Sequence, residues 1–210
     1  AQVQQLYEVS VQKEIPAAAE LVTDVRDAGE VKIYYTQEPV MPEDYSDVDV
    51  EIVLEDDSGN QLKQVCRFHF TGWLLENYRL ELGQELTPEQ LLTNPEKDQA
   101  LTEQIDLSAV TTVGEHVITV ATGNTQADCV ITVEDTTAPK LKVQNVRRKP
   151  GESVEAKDFV VSAEDLSGDP EISLVGELPD CSKNGTHTIT IEAKDAYGNT
   201  AKKEATFWVS

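Results

Sequence analysis

Two distant stretches of the chain decide the fold. Residues 48–70 read VDVEIVLEDDSGNQLKQVCRFHF, and residues 187–209 read HTITIEAKDAYGNTAKKEATFWV. The stretches have equal length and align without a gap when Gly59 is placed on Gly198, an offset of 139 residues. The sequence therefore contains an internal repeat.

Each copy of the repeat is predicted to form a β-hairpin. Apolar and polar residues alternate, as in Val50, Ile52 and Leu54, which is typical of strands with one buried face. The pattern D-x-x-G-N, at residues 56–60 and 195–199, separates the two alternating runs. Glycine supplies the positive φ of a tight turn, asparagine tolerates it, and the aspartate can accept hydrogen bonds from the turn backbone.

A third, shorter copy lies between these two. Residues 114–133 read GEHVITVATGNTQADCVITV, with the hairpin shortened around residues 122–124. When the final strands are aligned, Cys66 and Cys129 both fall on the position of Ala205. We therefore predict that these two cysteines are small, buried core residues and not nucleophiles or metal ligands.

Upstream signals repeat as well and set the module boundaries. Residues 81–92 parallel residues 149–160, and residues 15–22 resemble both, so each unit is predicted to pass through a short helical turn before its hairpin. We predict an all-β chain of three tandem immunoglobulin-like β-sandwich modules, at 1–70, 71–136 and 137–210. The linkers contain no Gly/Ser tract, so we expect the modules to form a stiff, extended rod.

Charge excludes several classes of function. The 39 acidic residues outnumber the 17 basic ones and give a net charge of −22, so nucleic-acid phosphates and anionic lipids would repel the chain. No apolar run is long enough to span a bilayer, and the first ten residues lack the pattern of a signal peptide. We expect no nucleic-acid binding and no direct membrane insertion by this segment.

The residues around the third copy resemble a known group of repeats. The segment 135–139 (DTTAP), the pair 158–159 (DF), the pair 179–180 (PD) and the segment 195–199 (DAYGN) are similar to bacterial Ig-like repeats of the HYR and cadherin-like superfamily. The resemblance implies an Ig-like fold and an extracellular, cell-surface or cell-wall location in Gram-positive bacteria. Such arrays sometimes precede a catalytic region, for example a transglutaminase-like domain, but no residues here match one.

The sequence offers residues for three kinds of chemistry: Cys/His catalysis, calcium binding and glycoside hydrolysis. Cys181 and His187 are close in sequence but flank a predicted turn, and no catalytic motif surrounds them, so we expect no catalysis. Acidic runs at residues 55–57 and 164–169 offer the oxygen ligands that calcium prefers, yet neither has the spacing of an EF-hand loop. We therefore expect no cofactor and no calcium binding at micromolar concentrations, and calcium at the module junctions is the alternative. Carboxylate pairs of the glycosidase type have no aromatic platform beside them, so we interpret the acidic residues as a solvated surface.

The two tryptophans are the candidate binding or junction residues. Trp73 lies where the first predicted module meets the second, and it is predicted to pack between modules or, alternatively, to form an exposed sugar- or protein-binding patch. Trp208 lies between Phe207 and Val209 and is expected to face outward or toward a neighbouring domain.

These observations lead to one expected function and two alternatives. We expect a monomeric, non-catalytic structural or adhesive spacer of a bacterial cell-surface protein, which presents or spaces an attached domain. The first alternative is a carbohydrate- or protein-binding module whose partner is a cell-wall glycan or a host or bacterial surface protein. The second is an accessory region of a larger surface enzyme.

Overall fold

The structure is a computed structural model that describes residues 1–27, 29–123 and 125–210. Its described residues form fifteen β-strands and four short 3₁₀ helices, so the predicted all-β class is confirmed. Contacts between residues divide the chain into two compact units. The first unit contains residues 1–79, 85–110 and 115–132, and the second contains residues 80–84, 111–114 and 133–210.

The strands of residues 1–79 form a four-stranded sheet and a two-stranded pair. The strands are β1 (Gln2–Val3), β2 (Leu6–Ser10), β3 (Val22–Thr23), β4 (Val31–Tyr35), β5 (Val48–Asp56) and β6 (Gln61–Thr71). The sheet has the order β2-β6-β5-β4, in which β2 runs parallel to β6, and β1 pairs with β3. A 3₁₀ helix, Ala18–Leu21, precedes β3.

Residues 133–210 repeat this architecture. The strands are β10 (Lys140–Val143), β11 (Val146–Arg148), β12 (Val160–Glu164), β13 (Glu171–Val175), β14 (Gly185–Lys194) and β15 (Thr200–Val209). A four-stranded sheet has the order β11-β15-β14-β13, with β11 parallel to β15, and β10 pairs with β12. A 3₁₀ helix, Ala156–Phe159, precedes β12.

The predicted hairpins are present, and their register is identical. β5 pairs with β6 so that Val48 faces Phe68, and β14 pairs with β15 so that His187 faces Phe207. Every partner pair of the first hairpin becomes a partner pair of the second when 139 is added to both residue numbers. The same offset of 139 relates the residues of β2 to those of β11, the parallel strands at one edge. It also relates β4 to β13, the strands at the other edge. The gapless alignment therefore predicted the pairing of whole sheets.

The predicted equivalence of Cys66 and Ala205 is confirmed, as is the predicted burial of Cys66 and Cys129. Cys66 faces Val50, and Ala205 faces Ile189 at the equivalent place in the other hairpin. Cys66 and Cys129 are free thiols and fully buried. Burial raises the pKa of both thiols, which keeps them protonated at neutral pH.

The middle segment is a reduced copy. Strands β7 (Asn77–Glu81), β8 (Gly114–Thr122) and β9 (Thr125–Glu134) form a three-stranded sheet in the order β7-β9-β8. Among the described residues this sheet has no fourth strand, and two further 3₁₀ helices, Pro88–Leu91 and Gln99–Gln104, lie between β7 and β8. The turn between β8 and β9 is short, as predicted, although its Asn124 lies outside the described residues.

One helical turn recurs in all three copies. The backbone N–H before the helix donates to the side chain three residues later, from Ala17 to Glu20 at 3.0 Å and from Thr87 to Gln90 at 2.8 Å. The third copy has the same bond from Glu155 to Asp158 at 3.0 Å. Each bond satisfies a helix-terminal amide that has no partner within the helix. The helix then buries one large apolar residue completely in each copy, namely Leu21, Leu91 and Phe159.

Candidate functional site

Trp73 is the centre of a buried aromatic contact. Its exposed fraction is 0%, and its ring stacks on that of Tyr45 with centroids 6.0 Å apart and planes inclined by 4°. Tyr45 precedes β5 and is held at φ 52°, a left-handed conformation that is uncommon for a residue with a bulky side chain. Such a conformation persists only where surrounding contacts enforce it.

Polar contacts fix Tyr45 at both ends. Its hydroxyl donates a short hydrogen bond to Oδ1 of Asp98, and its carbonyl accepts a hydrogen bond of 3.1 Å from Oγ1 of Thr125. Oγ1 of Thr122 donates to the carbonyl of Asp44 at 2.7 Å. Burial, and then the hydrogen bond to Asp98, raise the pKa of Tyr45 well above its ordinary value.

These contacts join stretches that the sequence assigned to different modules. Tyr45 belongs to the first predicted module, whereas Trp73, Asp98 and Thr125 belong to the second. All of them lie in the first compact unit. The alternative of an exposed binding patch does not hold for Trp73, because its buried ring presents no surface to a sugar or a protein.

Trp208 occupies a different environment. It lies on the outward side of β15, between the buried residues Phe207 and Val209, and it is half-buried. The guanidinium of Arg147, from the neighbouring strand, lies 5.5 Å from the centre of its ring. A cation–π contact therefore covers one side of the indole. Because Trp73 is buried, Trp208 is the tryptophan of the described chain that a partner could reach.

Three aspartates that are far apart in sequence come together in the second unit. Carboxylate oxygens of Asp135, Asp165 and Asp195 all lie within 4.8 Å of one another. Each aspartate directly follows a strand, β9, β12 or β14, and this shared position at strand ends is the signal that sequence reasoning missed. In the sequence, Asp165 stands out only as part of the acidic run at residues 164–169.

The three carboxylates differ in their hydrogen bonds. Asp195 accepts from the amides of Tyr197 and Asn199, at 2.8 Å and 2.9 Å, and from the side chain of Asn199 at 2.8 Å. Asp165 accepts from the amide and hydroxyl of Ser167. Oδ2 of Asp135 is buried and has no hydrogen-bond partner among the described residues.

The three aspartates have no cationic partner among the described residues. None of the ion pairs found among the described residues involves Asp135, Asp165 or Asp195. Burial raises the pKa of Asp195, but the hydrogen bonds from Asn199, Tyr197 and Gly198 outweigh it, and the pKa lies below its usual value. The cluster offers the type of oxygen ligands that calcium takes, although calcium binds six to eight oxygens and the carboxylates supply only part of that number.

Cys181, His116 and His187 lie in or beside the strands of the hairpins. Sγ of Cys181 donates to the carbonyl of Pro179 at 3.3 Å, and among the described contacts no hydrogen bond joins Cys181 to His187. His116 and His187 lie on the inward side of their strands, in line with buried residues, and are half-buried. The ring of His187 lies 6.3 Å from the ring of Phe207, measured between their centroids.

Comparison with known proteins gives remote structural similarity only. No family model matches the chain, and no curated protein matches it. The extracellular domain of protocadherin GammaB4 aligns with 99% of this chain and 48% of its own, at 12% identity and a TM-score of 0.31. Drosophila N-cadherin EC1-3 aligns over 100% and 98% of the two chains, at 8% identity and a TM-score of 0.28.

A third similar structure comes from a bacterium. The M60 catalytic domain of Clostridium perfringens ZmpB with its CBM51-1 and CBM51-2 domains aligns with 85% of this chain and 28% of its own, at 11% identity and a TM-score of 0.28. The chain thus spans about half of the protocadherin structure and less of the ZmpB structure. None of the helices in the described residues is long and apolar enough to cross a membrane.

Proposed function

We propose that this chain is a non-catalytic structural or adhesive spacer of a bacterial cell-surface protein, built from three tandem modules. The observation that supports the proposal is the contact between Tyr45 and Trp73. A spacer must hold neighbouring modules at a fixed angle, and this contact joins residues of the first and second predicted modules. A buried aromatic stack with hydrogen bonds on both sides resists bending, whereas a flexible polar linker does not.

Solution scattering tests the spacer. We expect the wild-type chain to be an elongated particle, and a compact globule would contradict three modules in series. We expect Tyr45→Ala to broaden the distribution of distances, because it removes the ring that stacks on Trp73 and the hydroxyl bound to Asp98.

Two further variants separate stacking from hydrogen bonding. Tyr45→Phe keeps the ring but leaves a buried Asp98 carboxylate without its donor, so we expect an intermediate effect. Tyr197→Ala is the matched control, because Tyr197 is 53% exposed and lies in a turn of the other unit. Equal scattering profiles for wild type and Tyr45→Ala would remove the support that the contact gives to the proposal.

A further inference from the structure

Strands β5 and β14 each have an edge that is only half covered. β4 pairs with β5 from Ile52 onward, and the carbonyl of Glu51 accepts from the amide of Thr36, so residues 48–50 have no partner strand on that side among the described residues. β13 pairs with β14 from Thr190 onward, so residues 185–189 are open in the same way. A strand edge without a neighbour presents backbone donors and acceptors to any extended chain that reaches it.

The backbone directions at these edges follow from observed hydrogen bonds. The carbonyl of Glu51 accepts from the amide of Thr36, so it points away from β6, and Asp49, two residues earlier, points the same way. In the second hairpin the amide of Asp195 donates to the carbonyl of Asn199, so the backbone groups of Asp195 point toward β15. Because these groups alternate in direction along a strand, those of Thr188, seven residues earlier, point to the open side. Asp49 and Thr188 are equivalent residues at the offset of 139.

A groove lies along each open edge. The first groove, formed by residues 36–40 and 48–51, has a volume of about 390 Å³. The second groove, formed by Leu174, Val175, Glu177, Pro179 and residues 186–190, has a volume of about 410 Å³. Three residues of an extended strand span roughly 10 Å, which is the length of the free edge in the first groove.

Equivalent residues form the mouths of the two grooves. Val40 and Pro179 occupy the same position and give each groove an apolar wall, and Val40 is 74% exposed. Glu38 and Glu177 are also equivalent, and both are exposed. Neither glutamate belongs to an ion pair found among the described residues, in contrast to Asp49 and Glu51, which pair with Arg67 and Lys63.

We propose that both grooves bind an extended peptide of a partner protein, which adds a strand to β5 and to β14 and places a lysine or arginine against Glu38 or Glu177. The open backbone edge supplies main-chain hydrogen bonds, the apolar wall accepts an apolar side chain, and the unpaired glutamate selects a cation. This inference rests on the proposed adhesive function and gives that function a class of partner.

Amide NMR spectroscopy of the whole chain tests the proposal. The probe is an acetylated, amidated heptapeptide of alternating lysine and valine. We expect saturable shifts of the amide signals of Asp49 and Thr188. A heptapeptide of alternating glutamate and valine should bind more weakly, and a lysine–valine peptide with alternate backbone nitrogens methylated should not bind, because it cannot pair with a strand edge.

Substitutions provide matched controls in the two grooves. We expect Glu38→Lys and Glu177→Lys each to weaken binding at their own groove by about two- to fivefold, the range expected for an exposed ion pair. Asp49→Pro and Thr188→Pro remove the open-edge amide without removing a ladder bond to β6 or β15. Should either proline variant unfold, the surface charge reversals still decide the outcome.

Three results would overturn the inference. They are the absence of saturable shifts at both grooves, equal binding of the glutamate peptide, and binding of a neutral oligosaccharide in place of the peptide. The scattering experiment on Tyr45 variants uses no ligand, so the spacer proposal can stand or fall independently of this one.

Discussion

The hairpin of residues 48–70 and the hairpin of residues 187–209 share every strand pairing but have different surroundings. Both turns are closed in the same way, since Asp56 accepts from Ser58 and Asn60 as Asp195 accepts from Tyr197 and Asn199. Of these two aspartates, Asp195 alone belongs to a cluster of three carboxylates among the described residues. The comparison shows that local sequence determines the turn, whereas tertiary packing determines the electrostatic environment of its aspartate.

The largest expected effect comes from the equivalent phenylalanines Phe68 and Phe207. Both are fully buried, so we expect Phe68→Ala and Phe207→Ala each to lower the free energy of unfolding by about 3–5 kcal/mol. The indole N–H signals of Trp73 and Trp208 report the first and second units separately during urea unfolding. Equal destabilisation of both signals by one substitution would contradict the division into two units.

The turn aspartates should give the next largest effect. A hydrogen bond from the Asn60 side chain holds the pKa of Asp56 below its usual value, and the pKa of Asp195 is also low. A lowered pKa in the folded state stabilises the fold above the unfolded pKa of about 4, and this stabilisation is lost as the pH falls through the folded pKa. We therefore expect Asp56→Asn to lower stability at pH 7, and the difference from wild type to close in acid.

The same change at Asp195 sharpens the comparison. Asp195→Asn should cost less than Asp56→Asn, because it also removes repulsion from Asp135 and Asp165. Unfolding by urea at pH 7 and at pH 2 measures both variants. A difference that persists undiminished at pH 2 would contradict the role given to the ionised carboxylates.

The cysteine slot should tolerate substitution. Ala205 occupies in one hairpin the place that Cys66 occupies in the other, so we expect Cys66→Ala to cost about 1 kcal/mol, far less than loss of a phenylalanine. Thermal unfolding followed by circular dichroism measures the change. A loss as large as that of Phe68→Ala would show that the two slots are not equivalent.

The smallest expected effect is a gain at Asp165. In a buffer that chelates divalent ions, Asp165→Asn should stabilise the second unit by on the order of 0.5 kcal/mol, because the amide oxygen still accepts from Ser167 while one charge is removed. The gain should decrease as salt screens the charges. Asp27→Asn is the control, since Asp27 accepts from Gly29 but belongs to no such cluster among the described residues. A loss of stability at low salt would contradict uncompensated repulsion.

The sequence predicted what depends on local pattern. Alternation around D-x-x-G-N predicted the hairpins and their register, and the alignment of Cys66 with Ala205 predicted the burial of Cys66. The contact between Tyr45 and Trp73 was not predicted, because nothing near Tyr45 in the sequence indicates a left-handed residue that stacks on Trp73. The aspartate cluster was missed, since Asp135, Asp165 and Asp195 approach one another only after three separate strands have ended.

The constant offset of 139 residues has one interruption. Leu21 corresponds to Phe159 at an offset of 138, and the offset returns to 139 by Ile33 and Ile172. The two copies thus differ by single-residue length changes on either side of the helical turn, while the ladders between strands keep their spacing. For protein engineering, these connections are where an epitope tag or a dye-labelling peptide can be inserted with the least disturbance to the sheets.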